Sequence, residues 1–198
     1  MSEKLILASG SAIRAKILND AGLDFDIIKP DVDEAEIKTS CTEEGLSNKE
    51  IAAQLADAKA LAVAAPDNAF VLGSDQIMEH DGVLYDKPVD LREAAKRLKL
   101  LQNSVHSLIN AVSIAQNGRI VYRNLDAAHL HMRPMSDDEI SAYIEMAGPA
   151  VLSSVGAYQV ERLGARLFNR IDGDFFTVLG LSLFPALKFF RDADILDF

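Results

Sequence analysis

Apolar residues first gather in Leu5-Ile6-Leu7-Ala8, and the segment from Lys4 to Ala8 reads as a buried strand. A small-residue turn, Ser9-Gly10-Ser11, follows it. Helix signals then run from about Ala12 to Ala21, with Gly22 suited to the position just past the end. Phe25 to Ile28 reads as a second strand, and the acidic stretch Pro30 to Thr42 as a loop. Ser47-Asn48-Lys49-Glu50 is a capping box. The helix it opens carries Ile51, Leu55, Ala58 and Ala62 on one face and stops before Pro66. Ala69 to Gly73 is a short apolar strand ending in Ser74-Asp75-Gln76, with a hairpin turn at His80-Asp81-Gly82. Asp90 caps a helix to about Leu101. Ser107 to Ala115 and Ile120 to Met132 read as strands joined at Asn117-Gly118. Ser136-Asp137-Asp138-Glu139 is a second capping box, opening a helix to about Met146 that Gly148-Pro149 breaks. An irregular Gly-rich segment and a last apolar helix from about Phe184 close the chain. Crossover and hairpin connections occur together, which predicts an α/β fold with a mixed sheet.

The length of 198 residues allows one domain, or one domain with two lobes, and a hydrophobic content of 49% supplies a substantial core. The net charge of -10 excludes non-specific binding to nucleic acid polymers and to anionic membranes, which needs basic patches. A small anionic ligand remains open to a few placed cations or a bridging metal. The one cysteine, Cys41, has no intramolecular partner and reads as an incidental loop thiol. No basic stretch followed by an apolar one opens the chain, and no apolar run reaches membrane-spanning length. A cytoplasmic location is therefore expected.

Several residues could carry chemistry. Ser9, Ser11 and Arg14 gather at the start of a helix, where unpaired N–H groups and a partial positive charge favour an anion, phosphate in particular. Asp75 follows an apolar strand, where it could hold a divalent metal or take a proton from water; its alternative is a turn-forming cap. Lys87 lies between Asp86 and Pro88, which holds it extended, either to neutralise a phosphate or simply in solvent. Lys59 lies beside the apolar face of its helix and could snorkel or reach inward to an anion. Asp33 and Glu34 would matter if their loop folded back toward Asp75, since carboxylates with phosphate oxygens make a magnesium site. His129 and His131 share a strand face but have no third ligand at convincing spacing, and His106 is expected to make a structural hydrogen bond. No GxSxG elbow, Walker P-loop or GxGxxG is present.

Together these pieces resemble the Maf-like nucleoside triphosphate pyrophosphatases over nearly the whole chain. The opening Ser-x-Ser-Pro-x-Arg turn of that family is similar to Ser9-Gly10-Ser11-Ala12-Ile13-Arg14, and its acidic loop to Val32-Asp33-Glu34. Its helical lysine falls on Lys59, its catalytic aspartate on Asp75 and its Lys-Pro pair on Lys87-Pro88. His106, Ala111-Val112-Ser113-Ile114, Gly156-Ala157-Tyr158, Ile171-Asp172-Gly173-Asp174-Phe175-Phe176 and Gly180-Leu181 continue the match. Gln76 and Glu161 look like the branch acting on 7-methylguanosine triphosphate, because a carboxylate can accept from N1–H and the amino group of guanine. Ala12 replaces the family proline, and Ile13 stands where relatives have arginine or an aromatic residue, so Ile13 is assigned to substrate contact. Ser153 and Ser154 replace an acidic-basic pair, and Arg162 a glycine.

The resemblance implies a single domain over 1–198, with a twisted mixed sheet flanked by helices in two lobes around a central cleft, as in inosine triphosphatases. It implies hydrolysis of a nucleoside triphosphate between its α- and β-phosphates to monophosphate and pyrophosphate, as nucleotide-pool housekeeping. Asp75, with Glu34, would hold Mg2+ or Mn2+, and Asp75 would also activate water. Ser9, Arg14, Lys59 and Lys87 would bind the phosphates, and Gln76 and Glu161 the base. A homodimer is admitted but not required. The competing expectations are a non-catalytic nucleotide-binding regulator of cell division and an acidic interaction scaffold.

Overall fold

The computed structural model describes residues 4–196 and 198. In chain order the strands are β1 (Leu5–Ala8), β2 (Asp26–Ile27), β3 (Phe70–His80), β4 (Val83–Tyr85), β5 (Val105–Gln116), β6 (Arg119–Met132) and β7 (Phe168–Asp172). The helices are α1 (Ala12–Asp20), α2 (Glu34–Glu43), α3 (Asn48–Leu61), α4 (Leu91–Leu101), α5 (Asp137–Ala147), α6 (Phe175–Leu179) and α7 (Leu183–Asp192). Among the described residues the strands form one seven-stranded sheet in the order β2-β1-β3-β5-β6-β7, with β4 beside β3. β1 runs parallel to β2 and β3, whereas β4 and β7 pair antiparallel with β3 and β6. The fold is thus α/β with a mixed open sheet flanked by helices.

Local chemistry explains most boundaries. Ser47 and Ser136 each accept from the N–H three residues on, while Glu50 and Glu139 reach back, closing two capping boxes. Asp90 caps α4 through Glu93 N–H at 2.7 Å. Asn117 and Gly118 both take positive φ, 51° and 73°, as the tight turn between two twisted strands requires.

The structure departs from five expectations. The acidic stretch is not a loop beyond Asp33: it is α2, whose cap is the Asp33 carboxylate accepting from Ala35 and Glu36 N–H at 3.1 and 3.0 Å. Cys41 accordingly lies buried in a helix, where desolvation raises its thiol pKa. The first long strand does not end before Asp75 but continues to His80. On α3, Ala62 is exposed and Ala58 half-buried, while Ala52, Ala56 and Ala60 are buried with Ile51 and Leu55. The irregular segment after Gly148-Pro149 also contains β7 and α6.

The chain divides into two compact units. The first comprises the described residues of Met1–Gln76, Ile109–Asp126 and Gly180–Phe198. One of its cores joins Ile6, Ala8, Val71 and Ala115 of the sheet to Ala60 and Val63 at the end of α3 and beyond it. On the opposite face of the sheet, Phe70 meets Phe189 of α7 edge-on at 5.6 Å. The second comprises Ile77–Leu108 and Ala127–Leu179. Its core gathers Met78, Leu98, Leu101, Leu130, Ile140 and Tyr158, with other buried neighbours.

Candidate active site

The site-bearing part of the first unit is built where two parallel strands stop being equal. The last β1–β3 pair is Ala8 with Gly73, so Ser74 and Asp75 run on beyond β1. That position gives Asp75 the edge character expected of a strand end although it lies inside β3. Alternation then sends Gly73 and Asp75 to the face covered by α3 and Ser74 to the other.

Gly73 lets α3 come close. A Cβ built there would lie 2.4 Å from Ala56 O and 2.6 Å from Ala60 N. The same approach brings Lys59 to Asp75: Lys59 Nζ lies 2.6 Å from Asp75 Oδ1 and 2.8 Å from Glu34 Oε1. The Lys59 and Asp75 side chains are buried, at 10% and 7% exposure, whereas Glu34 stands half open at 46%. Lys59 therefore does not snorkel to solvent. Glu34 is the first residue of α2, and the Asp33 cap fixes where that helix begins. The fold-back toward Asp75 that would give Glu34 a role is realised through a helix rather than a loop.

Arg14 completes the cluster from the other side. Its Nε donates to Gly180 O at 2.7 Å, and its Nη1 donates to Ser74 O at 2.8 Å and Ser9 Oγ at 3.4 Å. Burial lowers the pKa of this guanidinium, and the charges of Asp75 and Glu34 act in the opposite direction. Ser9 is buried, and its hydroxyl also accepts from Ser11 N–H at 3.1 Å, closing the turn. Ser11 caps α1 through Arg14 N–H at 3.5 Å. Ile13 is half-buried in the first turn of α1, beside Ala12, which is exposed. Gln76 is half-buried, and its Oε1 lies 3.5 Å from the place a Cβ on Gly180 would take.

Serine hydroxyls, a guanidinium, an ammonium and two carboxylates thus meet in one unit. Asp75 and Glu34 are hard oxygen donors converging on a single cation, so their chemistry suits Mg2+ or Mn2+. Among the described residues no group of three or more His, Cys, Asp or Glu side chains is placed to hold a metal ion. An ion on Asp75 and Glu34 would need further oxygens from phosphate or water.

The second unit carries the other expected residues. Lys87 is exposed in the loop after β4, ahead of the buried Pro88. Arg97 of α4 holds that loop: its Nη1 donates to Asp86 O at 3.0 Å and to Val155 O at 2.6 Å, and its guanidinium lies 4.5 Å over the Tyr85 ring. No sequence motif singles Arg97 out; its signal is a charged residue on the buried side of an amphipathic helix. Glu161 is exposed, and its charge adds to the burial that pushes the Tyr143 pKa up to about 12. His106 makes the structural bond expected of it, with Nε2 2.5 Å from Tyr158 Oη. Burial, with a smaller contribution from His80, lowers the His106 pKa to about 3 and keeps it neutral. His129 pairs with Ser107 and His131 with Asp172.

Comparison with known proteins settles the kinship. The family model described as Maf-like protein matches residues 4–193. The chain belongs to this family. Among its Maf-like relatives, a nucleoside triphosphate pyrophosphatase of Nitrobacter hamburgensis is 44% identical over 194 residues, covering 97% of this chain and 95% of the relative. A 7-methyl-GTP pyrophosphatase of Rhizobium meliloti is 40% identical over 198 residues, covering 100% of both chains. One of that name from Brucella abortus is 38% identical, again over 100% of both. Among the described residues no helix is long and apolar enough to cross a membrane.

Proposed function

We propose that this chain is a nucleoside triphosphate pyrophosphatase, cleaving between the α- and β-phosphates. The observation that carries the reading is the convergence of Asp75, Glu34, Lys59 and Arg14 beside the Ser9–Ser11 turn. Full-length relatives named for the same activity support it. The relatives described above are named for a catalytic activity, which favours this reading over a non-catalytic regulator.

In the proposed reaction a water oxygen bonds to phosphorus and the α–β bridging P–O bond breaks. The electron pair leaves with pyrophosphate, and the proton passes from the water to the Asp75 carboxylate. Ser9 and the N–H groups at the start of α1 orient the phosphates, and Arg14 and Lys59 stabilise the charge that develops on them. Arg14 is held by two backbone carbonyls, so little reorganisation is needed when that charge appears. Mg2+ or Mn2+ on Asp75 and Glu34 would screen the phosphates and polarise the bond to be broken. Lys59 bridges those carboxylates in this structure, and its ammonium is the group that can turn to a phosphate oxygen.

The roles of Lys87 on phosphate, Ile13 beside it, and Glu161 on the base rest on the family motifs. Gln76 and Glu161, with relatives named 7-methyl-GTP pyrophosphatase, support 7-methylguanosine triphosphate as the preferred substrate. The deciding test is a panel of ordinary and modified nucleoside triphosphates with magnesium, read out as pyrophosphate. Asp75→Asn should fold and release almost none; wild-type turnover in that variant refutes the assignment. Glu161→Gln should change preference among bases more than total activity, and equal loss on every nucleotide would remove its base-reading role.

A further inference from the structure

We infer that Asn110 is a positioning residue for this reaction, holding the backbone of Asp75 and the Arg14 anchor in one fully bonded buried network. The inference rests on the proposed pyrophosphatase reading. Asn110 lies on β5 among apolar neighbours, and its residue is completely buried. Alternation along β5 turns Ser113 to α3, where its hydroxyl donates to Asp57 at 2.6 Å, and Asn110 to the opposite face. Asn110 therefore supports Asp75 from behind the sheet.

All four hydrogen-bonding positions of the amide are used. Its Nδ2 donates to Asp75 O at 2.9 Å and to Ser74 Oγ at 3.2 Å. Its Oδ1 accepts from Ser182 N and from Ser182 Oγ, both at 2.8 Å. The partners fix which end is which, because Asp75 O can only accept and Ser182 N can only donate.

The network continues to the cationic side of the site. Ser74 Oγ donates to Gly180 O at 3.2 Å, the same carbonyl that receives Arg14 Nε at 2.7 Å. Arg14 Nη1 closes the ring on Ser74 O. Gly180 has φ 105°, a conformation open to glycine that aims its carbonyl at these two donors. Asn110 thus links the strand carrying Asp75 to the segment that anchors Arg14. An aspartate there would lose the donors and a leucine all four bonds. A buried polar network with every member satisfied is stiff, and removing its centre leaves several groups unpaired.

The experiment uses the full-length chain with magnesium and measures kcat, the Kd of a non-hydrolysable nucleoside triphosphate and Tm. Asn110→Ala should lower kcat by about a hundredfold through misplacement of Asp75 and Arg14. Its nucleotide Kd should change by less than about threefold. Gln116→Ala, which cuts the exposed bond from Gln116 Nε2 to Asn68 O (3.1 Å) at the far end of the same strand, should leave kcat unchanged. Should Asn110→Ala fail to fold, Ser74→Ala and Ser182→Ala each remove one arm and should each lower kcat. Wild-type kcat in folded Asn110→Ala, or in both serine variants, overturns the inference, as does a loss confined to Kd. Asp75→Asn run in parallel separates the two failures: if it keeps turnover, the pyrophosphatase reading falls; if it is inactive while the Asn110 and serine variants are not, only the positioning role falls.

Discussion

Replacing Gly73 by alanine perturbs the site without touching any charged group. The added Cβ would lie 2.4 Å from Ala56 O, where ordinary contact begins near 3.4 Å, so α3 must retreat by about 1 Å. The opposing atoms are helix backbone and the Ala60 Cβ, not the tip of a flexible side chain, so no rotamer change relieves the clash. Overpacking of this kind costs about 1–3 kcal/mol. For a chain of this size each kcal/mol lowers Tm by about 2–4 °C. The same retreat stretches the 2.6 Å contact between Lys59 and Asp75, which α3 carries on its inner side. A displacement of about 1 Å at a reacting centre costs up to a hundredfold in rate. The assay is a thermal melt together with pyrophosphate release under saturating nucleotide. Gly10→Ala is the stability comparison, because a Cβ there meets flexible Lys29 carbons no closer than 3.7 Å. Wild-type Tm and turnover in Gly73→Ala would refute the argument that this glycine sets the helix-to-strand distance.

Neutral, buried His106 should destabilise the fold as pH falls. Its folded pKa of about 3 lies below the ordinary 6.5, so its contribution is complete above pH 6.5 and is lost as pH drops toward 3, by at most about 1.4 kcal/mol per pH unit. His106→Gln should flatten denaturation midpoints across that window, and an unchanged slope would contradict this. Arg97→Lys keeps a charge but cannot hold both Asp86 O and Val155 O as the guanidinium does, so chemical denaturation should show a loss of about 1–3 kcal/mol. Arg123→Ala leaves the Asp57 carboxylate with Ser113 alone in place of a two-point ion pair, and denaturation should again show about 1–3 kcal/mol lost. Equal stability in either variant would show its network to be dispensable.

Elements with a local cause were legible in the sequence. The capping boxes at Ser47 and Ser136, the Asp90 cap and the Asn117-Gly118 turn each depend on residues within a few positions of one another. Helix α2 escaped because it is polar nearly all round, with Cys41 its one buried residue, so no apolar period marks it. Its readable sign was Asp33 ahead of Glu36. At Ser74-Asp75 polar residues break the apolar run of β3, so the pattern alone ends the strand there; what lets them continue it are partners elsewhere in the chain, Asn110 for Ser74 and Lys59 for Asp75. The candidate site followed the same rule. Arg14, Lys59, Asp75 and Glu34 could be named singly, but the bond from Arg14 to Gly180 spans 166 positions and no spacing foretells it. Asn110 was invisible as chemistry, since its partners include backbone atoms of residues remote in sequence.

Helix α3 buries Ala52, Ala56 and Ala60, a stripe of small side chains with little relief, and Ala56 and Ala60 lie against Gly73 of the sheet. Such a surface could slide or roll by one residue with slight loss of apolar contact. Asp57 and Lys59 flank that stripe on opposite sides and lock onto different strands, Asp57 through Ser113 and Arg123, Lys59 through Asp75. Rolling the helix either way pulls one buried charge off its partner, and sliding it breaks both. The two ion pairs thus serve as an alignment key: the alanines supply close approach, and the charges select the single setting in which an ammonium stands before Asp75.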